Sequence, residues 1–255
     1  MISPDGSDLV LCWRMERIEE FVDQRLKAVC IHCGAGLTAA TANNDHVPSK
    51  SLLDRPWPHH LPSVTICRDC NSSFSKDEQY FVAFIQSVLV GSTDPAKHSN
   101  GSAARALNES AKLRERIEAA RTVYQTLGGE TRMAWRPETE RINRVIVKNA
   151  RGHAYFEFGE PVFGEPDHVW AVPLGALAPS ELDRFQRGDD ARGPAFWPEV
   201  GSRMMTRMIF GQDMVDGWVV VQNGIYRYSV TQGAELVVRS VLYEYLATEV
   251  LWGDE

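Results

Sequence analysis

Apolar side chains recur at helical spacing between residues 79 and 89. Phe81, Phe84, Ile85, Val88 and Leu89 share one face, which predicts a helix. Residues 103–127 are Ala-rich and charged, and they predict a second helix ended by Gly128-Gly129. Pro137 suits the first turn of a third helix. Its stripe of Ile142, Val145 and Ile146 runs to about Gly152. Beyond Gly152 the period shortens, and residues 154–158 and 168–172 read as strands. Residues 216–222 and 225–230 flank Asn223-Gly224 and predict a hairpin, because Asn-Gly supplies the positive φ of a type I′ turn. The apolar run 236–252 fits strand and helix equally badly. Residues 16–29 predict one more helix, after a short lead-in. The fold class expected is α+β: a lead-in and helix at 1–29, a cysteine-rich module at 30–90, a helical region at 102–151 and a mixed α+β domain at 152–255.

Cysteine usage sharpens the second of these segments. Four of the five cysteines form two Cys-x-x-Cys pairs, Cys30/Cys33 and Cys67/Cys70. Each pair sets two thiolates on a tight turn, and two pairs complete the four-thiolate shell of a structural zinc. Gly34 and Gly36 follow the first pair, where the chain must turn sharply. The competing readings are two disulfides or a thioredoxin-like motif. Disulfides need an oxidising compartment. The N-terminus has no basic lead and only Leu9-Val10-Leu11 as an apolar run, so a cytoplasmic location with reduced thiols is expected. Cys12 is left over as a small buried hydrophobe. His32, inside the first pair, reads as an exposed turn residue.

Between the pairs stands Asp45-His46-Val47-Pro48, and Asn71 follows the last cysteine at once. A neutral imidazole is a suitable general base at pH 7, so His46 can take a proton from water. Asp45 points to the opposite face of an extended segment and can hold a hard cation, with the Asn71 carbonyl oxygen as a second ligand. Such a cation neutralises charge on a scissile phosphate. The bland alternative is a zinc module in which Asp45 and His46 are merely structural. Ser75-Lys76-Asp77-Glu78 also fits a capping box at a helix start.

These residues resemble the HNH endonucleases, which have the ββα-metal fold. The likeness is greatest to the four-cysteine zinc branch that includes the Holliday-junction resolvase endonuclease VII. It covers roughly residues 28–85 and extends to Asn71-Ser72-Ser73-Phe74-Ser75-Lys76-Asp77-Glu78, which is similar to uncharacterised bacterial HNH proteins. The resemblance implies that His46 is the base, that Asp45 and Asn71 hold the catalytic divalent metal, and that Cys30, Cys33, Cys67 and Cys70 hold zinc. Two departures stand out. Many relatives carry an Asn before the second cysteine pair, where this chain has His60; that Asn steadies the loop bearing the base. Ser75 stands where some relatives have a further His ligand. The site implied is therefore oxygen-rich and suits Mg2+ or Mn2+.

Charge bears on the partner. The net charge is −7, which argues against a protein that simply coats DNA. Residues 102–151 nevertheless carry a balance of +5, and residues 152–255 one of −9. Lys76, Arg141, Arg144 and Lys148 are the expected phosphate contacts beside the site. The acidic C-terminal part either faces a protein partner, a second copy included, or restrains nonspecific cutting. DNA is the expected substrate. RNA stays open, since no residue visibly reads a 2′-OH. No apolar run is long enough for a membrane span.

Overall fold

A computed structural model describes residues 15–19, 27–187 and 197–253. Strand β1 (Ala42–His46) pairs antiparallel with β2 (Ser63–Cys67), with Ala42 opposite Cys67 and His46 opposite Ser63. Val64 and Ile66 on β2 turn inward between exposed Ser63 and Thr65, the period-two pattern of a half-buried strand. They meet Ile31, Val47 and Tyr155 in a small core of their own. Helix α1 (Arg68–Val90) starts directly from β2. The Cys67 sulfur caps it, accepting from the Cys70 N–H at 3.3 Å. Gly91, at φ 70°, closes its other end. The helix expected at 79–89 is the second half of α1. Ser75–Glu78, which read as a capping box, lies mid-helix: Ser75 Oγ donates back to the Ser72 carbonyl at 2.9 Å. The sulfur cap starts the helix eight residues earlier than the box would.

The single helix expected over 103–127 is two helices and half a hairpin. Helix α2 (Gly101–Glu109) is capped by Asn100. Ser110 ends it and caps α3 (Ala111–Ala119), accepting from the Leu113 N–H at 3.2 Å. Strands β3 (Arg121–Gln125) and β4 (Thr131–Trp135) follow. The Thr122-Val123-Tyr124 run has strand character, and Gly128-Gly129 serves the turn rather than a helix end. Helix α4 (Thr139–Phe158) runs straight through the segment expected as a strand at 154–158. Ile142, Ile146, Ala150, Ala154 and Phe158 keep helical spacing and lie buried, so packing overrides the strand preference of Tyr155 and Phe156. Of the helix expected at 16–29, residues 16–19 are not helical and 20–26 lie outside the described residues, as does Cys12.

The C-terminal part is one antiparallel sheet with strand order β5-β10-β9-β8-β7-β6. Its strands are β5 (His168–Pro173), β6 (Met214–Val215), β7 (Trp218–Gln222), β8 (Tyr226–Gln232), β9 (Glu235–Leu242) and β10 (Leu246–Gly253). Helices α5 (Pro179–Arg187) and α6 (Arg203–Phe210) lie between β5 and β6 in the chain. The hairpin expected at Asn223-Gly224 is β7–β8, with Gly224 at φ 70°. The ambiguous run 236–252 is the hairpin β9–β10. A single apolar core joins Leu52, α1, α2, α4 and the sheet, so it crosses the boundaries expected at 90, 102 and 152. The α+β class therefore holds, with a four-cysteine cluster near the N-terminus. Among the described residues no helix is long and apolar enough to cross a membrane.

Helix α4 passes between the β1–β2 hairpin and the sheet and carries charge to both. Towards the sheet, Glu157 accepts from Arg207 Nε at 3.0 and 3.1 Å and from the Tyr228 hydroxyl at 2.5 Å. Arg207 also reaches Asp213 at 2.9 Å. Towards the hairpin, α4 comes so close at Gly152 that an added Cβ would stand 2.6 Å from Val47 Cγ2. Gly152→Ala gains helix propensity of about 0.5–1 kcal/mol. The clash with a stiff, buried valine costs roughly 1–3 kcal/mol and wins. The expected result is a net loss of stability in urea, with the residue next to His46 displaced. An alanine variant as stable as wild type, or more so, would refute that.

Candidate metal centre and active site

Cys30 and Cys33 sit on a turn closed by Gly34 N–H to the Cys30 carbonyl and Cys30 N–H to the Ala35 carbonyl, both 2.8 Å, with Gly34 at φ 71°. Cys67 ends β2, and Cys70 lies in the first turn of α1. The four sulfurs all lie within 4.8 Å of one another, and none is in a disulfide. Cys33 and Cys67 Sγ are 3.8 Å apart. That matches the edge of a tetrahedron with metal–sulfur bonds of ~2.3 Å. Burial, and then the neighbouring sulfurs of Cys67 and Cys33, push the Cys70 thiol up, a cost that a bound cation offsets. The cluster fits a structural zinc. His32 is not the exposed turn residue expected: it packs edge-on against Phe74, with ring centroids 4.9 Å apart and both ring nitrogens buried without hydrogen bonds. Burial, then Lys148 and Arg151, pull its pKa to about 3.

Across the hairpin, Asp45 turns into the protein, its side chain 11% exposed. Its partner is Lys148 of α4. The ammonium donates to Oδ1 at 3.0 Å and lies 2.8 Å from Oδ2, which takes no hydrogen bond. Lys148 also reaches Glu78 Oε1 at 2.6 Å and Ser49 Oγ at 2.9 Å. Ser49 in turn donates to Glu78 at 2.5 Å. Asn149 Oδ1 accepts from the Ser49 N–H at 3.3 Å. Burial raises the Asp45 carboxyl above its ordinary range, and Lys148 opposes that rise.

His46 ends β1 and is half-buried. Burial, then the charge of Lys50, lowers its pKa, while the Pro62 carbonyl opposes the shift. Both the burial and the lysine charge favour the neutral imidazole. The Val47 N–H bonds the same Pro62 carbonyl at 2.9 Å, so Pro62 closes the loop behind His46. His60, which stands where relatives carry the loop-steadying Asn, does not take this part. His60 is exposed, in left-handed backbone at φ 58°, and its side chain makes no hydrogen bond among the described residues. Asn71 sits half-buried next to Cys70 in the first turn of α1.

The four expected phosphate contacts divide. Lys76 is exposed on α1. Arg144 is half exposed, bonded to Asp77 at 2.6 Å and to Ser73 Oγ at 3.3 Å. Arg141 is mostly covered, held by Asp77 at 2.6 Å and the Lys76 carbonyl at 2.8 Å. Lys148 is buried, against the expectation of a solvent-facing contact. The reason is geometric. Residues 141, 144 and 148 share one face of a helix, and that face looks at Asp77 and Glu78 on α1 rather than at water. Sequence reasoning missed Asp77, Glu78 and Ser49. Their signal is the acidic pair on α1 matched by three cations at helical spacing on α4. Among the described residues the four cysteines are the only group of three or more His, Cys, Asp or Glu side chains placed to share one metal. No family model, curated protein or solved structure matches the chain.

Proposed function

We propose that this protein is an HNH-type endonuclease that hydrolyses phosphodiester bonds in DNA with a divalent cation. The observation that carries the reading is the placing of Asp45-His46 on β1 of a hairpin whose second strand, β2, leads directly into the helix that bears Cys70 and Asn71. In this reading the zinc does no chemistry and only fixes the hairpin to the helix. His46, kept neutral by burial, takes the proton of the attacking water at an imidazole nitrogen. The Asp45 carboxylate and the Asn71 carbonyl oxygen are the groups that would hold Mg2+ or Mn2+. Such an ion, when bound, offsets charge on the phosphate and the leaving oxygen. The donor chemistry fits once the Lys148 ammonium moves off Asp45, since a seated ammonium already neutralises that carboxylate. Lys76 and Arg144 keep enough exposure to meet the nucleic-acid backbone.

One observation favours a second reading, a zinc module that binds nucleic acid or a protein without cutting: Asp45 is already paired with a cation of the protein's own. A single assay separates the two. Supercoiled plasmid incubated with Mg2+ or Mn2+ is expected to be nicked by wild type and left intact in EDTA. His46→Ala is expected to abolish nicking while zinc content and fold stay unchanged. Cutting by His46→Ala at the wild-type rate would sink the mechanism. Binding that ignores Mg2+ and never cuts would favour the second reading, and the same assay on RNA decides the substrate.

A further inference from the structure

Lys148 is 2% exposed, so its amino group lies in the interior. Burying a hydrated ammonium is costly unless several acceptors meet it. Three do: Asp45, Glu78 and Ser49, each within 3.0 Å of Nζ. Both carboxylates are thus held to one point in space, although one comes from β1 and the other from α1. Asn71 and Glu78 are seven residues apart on α1, so they lie on the same face of that helix.

Charge arithmetic decides what can occupy that point. Two carboxylates and one ammonium give a net charge of about −1. A divalent ion added beside a seated Lys148 would leave about +1 in a buried site, which is unfavourable. A divalent ion in place of the ammonium leaves about zero. The exchange therefore goes all the way or not at all.

We propose that Lys148 is a resident cation that shares one site with a divalent metal ion: metal binds between Asp45 and Glu78 only when the Lys148 ammonium leaves. Glu78 is then a second carboxylate ligand of the site, and the bound metal and the seated lysine exclude each other. This inference rests on the reading of Asp45 as a cation ligand. It adds that loading of the site is gated by a side chain from α4.

The test is Mn2+ binding to the full, zinc-loaded chain, read from the electron paramagnetic resonance signal of free Mn2+. Lys148→Gln keeps a polar group beside Ser49 and Glu78 and removes the charge. It is expected to bind Mn2+ roughly tenfold or more tightly than wild type. The gain is expected to vanish in Lys148→Gln/Glu78→Gln and in Lys148→Gln/Asp45→Asn. Equal Mn2+ affinity in wild type and Lys148→Gln overturns the proposal. Should the variants not fold, the wild-type protein carries the test alone. Reductive methylation of Lys148, followed by mass spectrometry, is expected to speed up as Mn2+ is added, because the displaced ammonium meets solvent. A rate that Mn2+ leaves unchanged overturns the proposal. Plasmid nicking is scored separately. Mn2+ competition without nicking removes the nuclease reading and keeps the exchange. Nicking with Mn2+-indifferent Lys148 does the reverse.

Discussion

Cys70→Ser is expected to strip the metal from the four-cysteine cluster and to unfold the β1–β2 hairpin locally, while the six-stranded sheet stays folded. The core under the hairpin is small: Ile31, Val47, Val64, Ile66 and Tyr155, with Cys30 and Cys67 themselves part of it. The turn holding Cys30 and Cys33 is otherwise tied by a few backbone hydrogen bonds. Structural zinc in small peptides supplies about 10–16 kcal/mol of apparent binding free energy, far more than such a core can replace. The substitution removes one of the four sulfurs and leaves the Cys70 N–H, which the Cys67 sulfur caps, in place, so the loss is that of the metal. Amide exchange by mass spectrometry reads the result segment by segment. Fast exchange is expected in residues 27–47 and 63–70, with protection retained in β8, β9 and β10. The two are separable because the sheet belongs to a different apolar cluster. A Cys70→Ser protein with full zinc content and unchanged exchange would show that the cluster does not organise the hairpin.

Glu157→Ala is expected to cost about 3–5 kcal/mol of global stability, the usual loss when one partner of a buried ion pair is removed. Arg207 is 1% exposed and always charged. Without Glu157 it keeps the Asp213 carboxylate and the Gln212 carbonyl but loses both bonds to α4. The Tyr228 hydroxyl, which burial keeps protonated, loses its acceptor at the same time. Glu157→Gln is expected to cost less, because an amide oxygen still serves Tyr228. Urea unfolding of the three proteins gives the order wild type, Gln, Ala. An Ala variant within about 1 kcal/mol of wild type would mean that the pair contributes nothing beyond its own desolvation.

Local chemistry was what the sequence revealed best. The cysteine spacing located a four-sulfur cluster because the thiols that meet in space are paired along the chain. The turn at Asn223-Gly224 was legible because two residues fix it. Where the environment on both sides of an element matters, the signal failed. Strands β9 and β10 are buried on nearly every residue, so they show no alternation to read. Tyr155 and Phe156 have strand preference but sit on a helix held by α1 and the sheet. Ser110, one polar residue in an Ala-rich run, turned an expected single helix into two. The site split in the same way. Asn71 follows Cys70 in the first turn of α1, as its sequence position implied, but the burial of Lys148 depends on a helix 103 residues from Asp45.

That distance has a consequence for how such a site can be inherited or engineered. An active site contained in one hairpin and one helix is a portable cassette, free to be moved between unrelated chains. Here the hairpin borrows an ammonium from Lys148, a side-chain acceptor from Asn149 and a close-packing glycine from Gly152, all within five residues of α4. Cutting out the cysteine segment would leave Asp45 and Glu78 without their shared counter-ion and uncover the apolar face of α1. The transplantable unit is therefore the segment together with α4, and a graft lacking that helix would carry the motif without its electrostatics.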